Sequence, residues 1–128
     1  LESSGISNHI TFPENLGDVL QSDDVIGIFD LEGISSSSCF LTSPGLILVG
    51  SAVWQGVNLT ITAIGSYSAC SYFNGFQIPG YIDDNDIVIR VYRPSEGAYY
   101  NTSVSFSIGS NTFGQGYYQI SNLELISP

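Results

Sequence analysis

Apolar residues recur at every second position along most of this chain, and that spacing points to strands rather than helices. Val104, Phe106 and Ile108 alternate with Ser103, Ser105 and Ser107. Leu59, Ile61 and Ala63 alternate with Thr60 and Thr62, and Ile87, Ile89 and Val91 with Val88, Arg90 and Tyr92. Val25, Gly27, Phe29 and Leu31 alternate with Ile26, Ile28 and Asp30, while Leu123 and Leu125 flank Glu124. Leu46 to Trp54 reads as a long strand buried on both faces, and Ile10 with Phe12 marks a first strand. Turn residues punctuate these runs at Ser43-Pro44-Gly45, Asn74-Gly75, Pro79-Gly80, Pro94-Ser95-Glu96-Gly97 and Gly114-Gln115-Gly116. Gln55-Gly56 separates two strong strands, so a hairpin of Leu46–Trp54 with Val57–Ile64 is expected. Glu14 to Gln21 is the one helix candidate; it contains Gly17, is too short to stand alone, and is expected to be a loop with one turn.

The expectation is an all-β fold, an antiparallel β-sandwich of Ig-like or jelly-roll-like type, with little or no helix. At 128 residues the chain suits one domain with one core. Residues 1–5, Leu-Glu-Ser-Ser-Gly, read as a linker-like start and 6–128 as the domain. Beginning at Leu1 and lacking Met, the chain reads as a mature product or a segment of a longer polypeptide.

Only 11% of the residues are charged, against about 25% in ordinary globular chains. Twelve acids face two cations, Arg90 and Arg93, with no Lys at all, for a net charge of -10. Nucleic acid requires a cationic footprint, so no nucleic-acid partner is expected. No apolar run is long enough for a membrane helix, so membrane insertion is not expected either. An acidic, Lys-free surface suits an extracellular or cell-surface setting, where carboxylates keep a protein soluble. Cys39 and Cys70 both lie in Ser-rich context, and an even count in such a chain points to one disulfide.

Catalytic machinery is hard to assemble from these residues, and an enzyme is not expected. His9 stands alone near one end, and there is no Lys for a Schiff base. Phosphate-loop glycines and zinc-spaced Cys or His are missing from the sequence. Asp83-Asp84-Asn85-Asp86 offers hard oxygen ligands of the kind Ca²⁺ takes, and Asp23 and Asp24 could join Asp83, Asp84 and Asp86 if the two loops shared one end of the fold. Calcium is therefore a candidate cofactor, although the spacing is not that of an EF-hand loop. Tyr67, Tyr72, Tyr99, Tyr100, Tyr117 and Tyr118 cluster in loops and near strand ends, and are candidate contacts for glycans or a partner. Trp54 is expected in the core or at its edge. Ser22–Phe29 and Asp84–Val91 echo each other, each placing acids just before an apolar strand.

The order of these pieces resembles a β-sandwich module repeated in large secreted surface proteins of Bacteroidetes exported by the type IX system. The matching residues are Asp24-Val25-Ile26-Gly27-Ile28-Phe29, Val49-Gly50-Ser51-Ala52-Val53-Trp54-Gln55-Gly56, Leu59-Thr60-Ile61, Gly75-Phe76-Gln77-Ile78-Pro79-Gly80 and Ile87-Val88-Ile89-Arg90-Val91-Tyr92, spanning Ile10 to Tyr100. Leu48 stands where the family often has Cys, and Ser35 to Gly45 reads as an insertion carrying Cys39. The resemblance implies an adhesive or architectural role beside neighbouring modules or copies of the same protein, and it brings no catalytic residue. A carbohydrate-binding module is the alternative expectation.

Overall fold

The computed structural model describes residues 5–36, 45–68, 70 and 77–127. Its elements are β1 (Ser7–Phe12), a 3-10 turn (Glu14–Asp18), β2 (Val25–Gly33), β3 (Gly45–Val53), β4 (Leu59–Ile64), β5 (Tyr67–Ser68), β6 (Gln77–Ile78), β7 (Val88–Arg93), β8 (Ala98–Ile108) and β9 (Tyr117–Ile126). The all-β expectation holds, and the Glu14 segment forms a short turn as its composition requires.

The arrangement of the strands differs from the expected sandwich. Seven strands join in one sheet in the order β3-β2-β7-β8-β9-β1-β4, with β5 and β6 paired separately. Six ladders hold the large sheet, all antiparallel except β1 with β9. The sheet curls until its two outermost strands, β3 and β4, approach each other. A Cβ placed on Gly50 of β3 would lie 2.5 Å from the Thr62 carbonyl oxygen of β4, so the backbones pass at a distance only glycine permits. The result is a nearly closed barrel.

The predicted hairpin of Leu46–Trp54 with Val57–Ile64 does not form. β3 is laddered to β2 and β4 to β1. Trp54 explains the choice: its N–H donates to the Asp24 carbonyl at 2.8 Å and its carbonyl accepts from Asp23 N–H at 2.9 Å, which extends the β2 pairing past the end of β3. The chain then turns back through Gln55 to Asn58 into β4, which lies beside β3 at the seam without laddering to it.

Inside, Ile10 and Phe12 of β1, Ile26 and Ile28 of β2, Ile61 and Ala63 of β4, Ile89 and Val91 of β7, and Ile120 and Leu123 of β9 close one core with Trp54 and Phe113. Strand alternation decides these positions, since successive side chains leave opposite faces of the sheet.

The two acidic segments that echo in sequence make the same turn. Asp23 and Asp84 both adopt positive φ, 77° and 73°, a conformation Asp tolerates better than most residues. Asp23 N–H donates to Trp54 O and Trp54 N–H donates to Asp24 O. Likewise Asp84 N–H donates to Phe113 O at 3.0 Å, and Phe113 N–H to Asn85 O at 3.0 Å. Each acidic turn is thus pinned by the backbone of a buried aromatic residue.

Candidate functional site

The registers place the acidic turns at opposite ends of the β2/β7 pair. Val25 faces Tyr92 and Phe29 faces Val88, so Asp23 and Asp24 lie beside the end of β7 while Asp83, Asp84 and Asp86 precede its start. At about 3.3 Å per residue the two turns stand roughly 20 Å apart, and Ca²⁺ needs ligands within about 2.6 Å. The five aspartates therefore do not assemble around one ion. Among the described residues no group of three or more His, Cys, Asp or Glu side chains is placed to hold a metal.

Asp24 has a different task. It is 1% exposed, and its carboxylate accepts from Arg93 Nε at 3.0 Å, Arg93 Nη2 at 2.9 Å and Gln21 N–H at 2.8 Å. Arg93 also donates to the Val19 carbonyl at 3.0 Å. Hydrogen bonding to Asp24 holds the guanidinium proton above the ordinary arginine range, against the opposing effect of burial. A second buried carboxylate, Asp30, accepts from Ile82 N–H at 2.9 Å, Glu32 N–H at 2.9 Å and Asn85 Nδ2 at 3.0 and 3.1 Å. These acids fasten loops to the barrel; Asp30 was not among the sequence candidates. Beside Asp30, the exposed Glu32, Asp84 and Asp86 line an open acidic cleft of about 430 Å³.

The tyrosines divide by strand parity. Tyr118 is fully buried, its hydroxyl donating to the Thr112 carbonyl at 2.6 Å and accepting from Gln115 N–H at 2.9 Å. It belongs to the core, which corrects its candidacy as a contact residue; its neighbour Tyr117 points outward, with its hydroxyl 3.2 Å from Thr11 Oγ1. Tyr100 is half-buried and donates to a Glu96 carboxylate oxygen, with Arg93 stacked over its ring at 5.6 Å. Tyr67 is exposed on β5, away from Tyr99 on β8. Tyr72 and Cys39 lie outside the described residues, and with Cys39 the expected disulfide to Cys70. His9 sits on the outer face of β1, its Nδ1 3.1 Å from Thr62 Oγ1.

What the fold does bring together is an apolar, aromatic outer face on β3, β2, β7 and β8. Leu31, Leu46 and Leu48 are 47%, 55% and 46% exposed there, and Tyr99 is 65% exposed. At its middle lies a hollow of about 250 Å³ among Val25, Leu48, Ser51, Tyr92 and Tyr99, while the Phe29 ring and Leu48 close over the buried Gly27. Tyr92 and Tyr99 face each other across β7 and β8, with ring centroids 4.6 Å apart. Arg90 lies over the Phe29 ring at 5.2 Å, and its Nε is buried without a hydrogen-bond partner. Arg93 forms ion pairs with Asp24 and Glu96, whereas among the described residues Arg90 has no carboxylate within ion-pair distance. Sequence reasoning named Tyr99 but missed Tyr92, Phe29 and Arg90. The signal was present: Arg90 and Tyr92 occupy the alternate positions opposite Ile89 and Val91. No family model, curated protein or solved structure matches the chain.

Proposed function

We propose that this domain is a non-catalytic structural or adhesive module of an extracellular surface protein, and that it works by packing its β3-β2-β7-β8 face against another protein surface. The observation that carries this reading is the exposed aromatic and aliphatic face with an arginine at its centre that has no carboxylate partner among the described residues. Contiguous apolar patches of this kind mark interaction sites on otherwise polar proteins. The acidic, Lys-free composition and the resemblance to Bacteroidetes surface modules support the setting.

Adhesion tests it. Beads coated with the domain should attach to protein-coated surfaces under flow, and Leu48→Asp or Tyr99→Ala should abolish attachment while leaving the circular dichroism spectrum unchanged. Attachment that ignores both substitutions refutes the reading. The Tyr92–Tyr99 pair favours one alternative, a carbohydrate-binding module, because tyrosine rings offer apolar faces on which sugar rings stack. Retention on insoluble polysaccharide that is lost on Tyr99→Ala, with no attachment to protein surfaces, would decide for that alternative.

A further inference from the structure

The outward residues of β7 and of the segment just before it run Asp86, Val88, Arg90: an acid, an apolar residue and a base at equal spacing. The neighbouring row on β2 runs Leu31, Phe29, Gly27: a protruding side chain, an aromatic ring and a position with no side chain of its own. The register Phe29↔Val88 and Gly27↔Arg90 sets the two rows side by side with their centres aligned. Both rows become complementary to themselves when reversed about those centres. We infer that this face pairs with the same face of a second copy of the chain, about a two-fold axis that lies in the face and crosses the strands at Phe29 and Val88.

One axis satisfies both rows at once. Asp86 and Arg90 each lie about 7 Å from Val88 along the strand, so reversal sets each Asp86 opposite the second copy's Arg90. Leu31 and Gly27 are equally spaced about Phe29, so each Leu31 meets the second copy at Gly27, against the Phe29 ring and Leu48 that cover it. Two-fold contacts have this property: residue i meets j, and j meets i. The charges are available for it. Among the described residues neither the Arg90 guanidinium nor the Asp86 carboxylate has an ion pair or a hydrogen bond within its own chain. Each Arg90 would also gain the nearby Glu32 and Asp84 of the facing acidic cleft, which offsets the repulsion expected between two chains of charge -10. Because the sheet curls, only the part of the face near the axis can touch a like surface, well below the usual share of about 800 Å² per partner, so the pair is a weak one.

This inference rests on the packing function proposed above and names its partner. Sedimentation velocity from 10 µM to 1 mM tests it. The wild-type chain should pass from monomer to dimer across that range. Asp86→Arg, Arg90→Asp and Leu31→Asp should each weaken pairing at least ten-fold, and the double charge reversal Asp86→Arg/Arg90→Asp should restore it to within about three-fold of wild type. Asp86 and Leu31 are exposed, so their variants decide the matter even if Arg90→Asp disturbs the fold. A chain that stays monomeric at 1 mM, a dimer insensitive to Asp86→Arg and Leu31→Asp, or a charge-reversed chain that keeps the wild-type circular dichroism spectrum without recovering the dimer overturns the inference. Bead attachment that survives in a monomeric chain overturns the self-pairing alone; loss of both overturns the packing function too.

Discussion

Replacing Asp24 by Asn keeps the shape of the side chain and removes its charge. The Arg93 guanidinium, itself nearly buried, then keeps its positive charge with no anion beyond the more distant Glu96 carboxylate at 3.8 Å. Removing one partner of a buried pair costs about 3–5 kcal/mol, because the remaining charge stays desolvated. Here Arg93 on β7 and Asp24 at the start of β2 join the Gln21 and Val19 backbone, so the loss also loosens the segment that covers one end of the core. Domains of this size have a net stability of about 5–15 kcal/mol, so Asp24→Asn should remove a fifth or more of it. With a urea dependence of about 2 kcal/mol per molar, the unfolding midpoint should fall by about 2 M, read by tryptophan fluorescence at Trp54. The double variant Asp24→Asn/Arg93→Leu should be more stable than Asp24→Asn alone, since it leaves no unpaired charge. A midpoint shift below about 0.5 M, or a double variant no better than the single, would refute this account.

Tyr81 stacks on Phe113 at 4.5 Å with its hydroxyl buried and, among the described residues, unpartnered, so Tyr81→Phe should keep the stack, remove the orphan and raise stability by about 1 kcal/mol; a lower melting temperature would contradict it. Burial, with help from Asp83 and Tyr118, pushes the Tyr81 hydroxyl up to about 12. The unfolded chain releases that proton near pH 10, so the stability Tyr81 contributes is complete below pH 10 and lost as the pH rises towards 12, by about 2–3 kcal/mol. Urea midpoints at pH 9 and 11.5 should differ accordingly, with a smaller difference in Tyr81→Phe; equal slopes in the two proteins would exclude the tyrosine as the cause. Cys39 and Cys70 should form a disulfide worth about 3–4 kcal/mol: denaturing alkylation without reductant should leave the mass unchanged, and uptake of alkyl groups on both cysteines would disprove it.

The strands were legible wherever one alternating set was polar. Leu59–Ile64 and Val104–Phe106 show their inner faces in the sequence, because Thr and Ser mark the outer ones, whereas Ile108 turns outward past a bulge that the alternation does not reveal. In Val25–Leu31 both sets are largely apolar, so alternation alone does not say that Ile26 and Ile28 face in while Phe29 and Leu31 face out. The exposed face hid behind that ambiguity. Tyr117 and Tyr118 show the converse: adjacent and alike in composition, they part only once β9 has a register against β8 and β1. The choice between sandwich and barrel turns on whether β3 can reach β4, which depends on Gly50 meeting Thr62 across the fold and not on any local pattern. The parallel β1–β9 pair is more distant still, setting His9 beside Tyr117. Arg90 and Arg93 looked equivalent as the two cations of one segment; only the fold separates the one clamped by Asp24 from the one left open.

The approach of β3 to β4 has a consequence for how this chain can associate. A sheet normally ends in strands whose free amides and carbonyls can recruit a foreign strand, which is the usual route to domain swapping and fibrils. Here the outermost strands of the seven-stranded sheet turn towards each other, and at Gly50 they come too close for a third strand to enter. Backbone templating at that seam is blocked by the curl of the sheet itself. At this seam, recognition falls to side chains on the outer surface of the curled sheet, where a few charges and aromatic rings can set specificity.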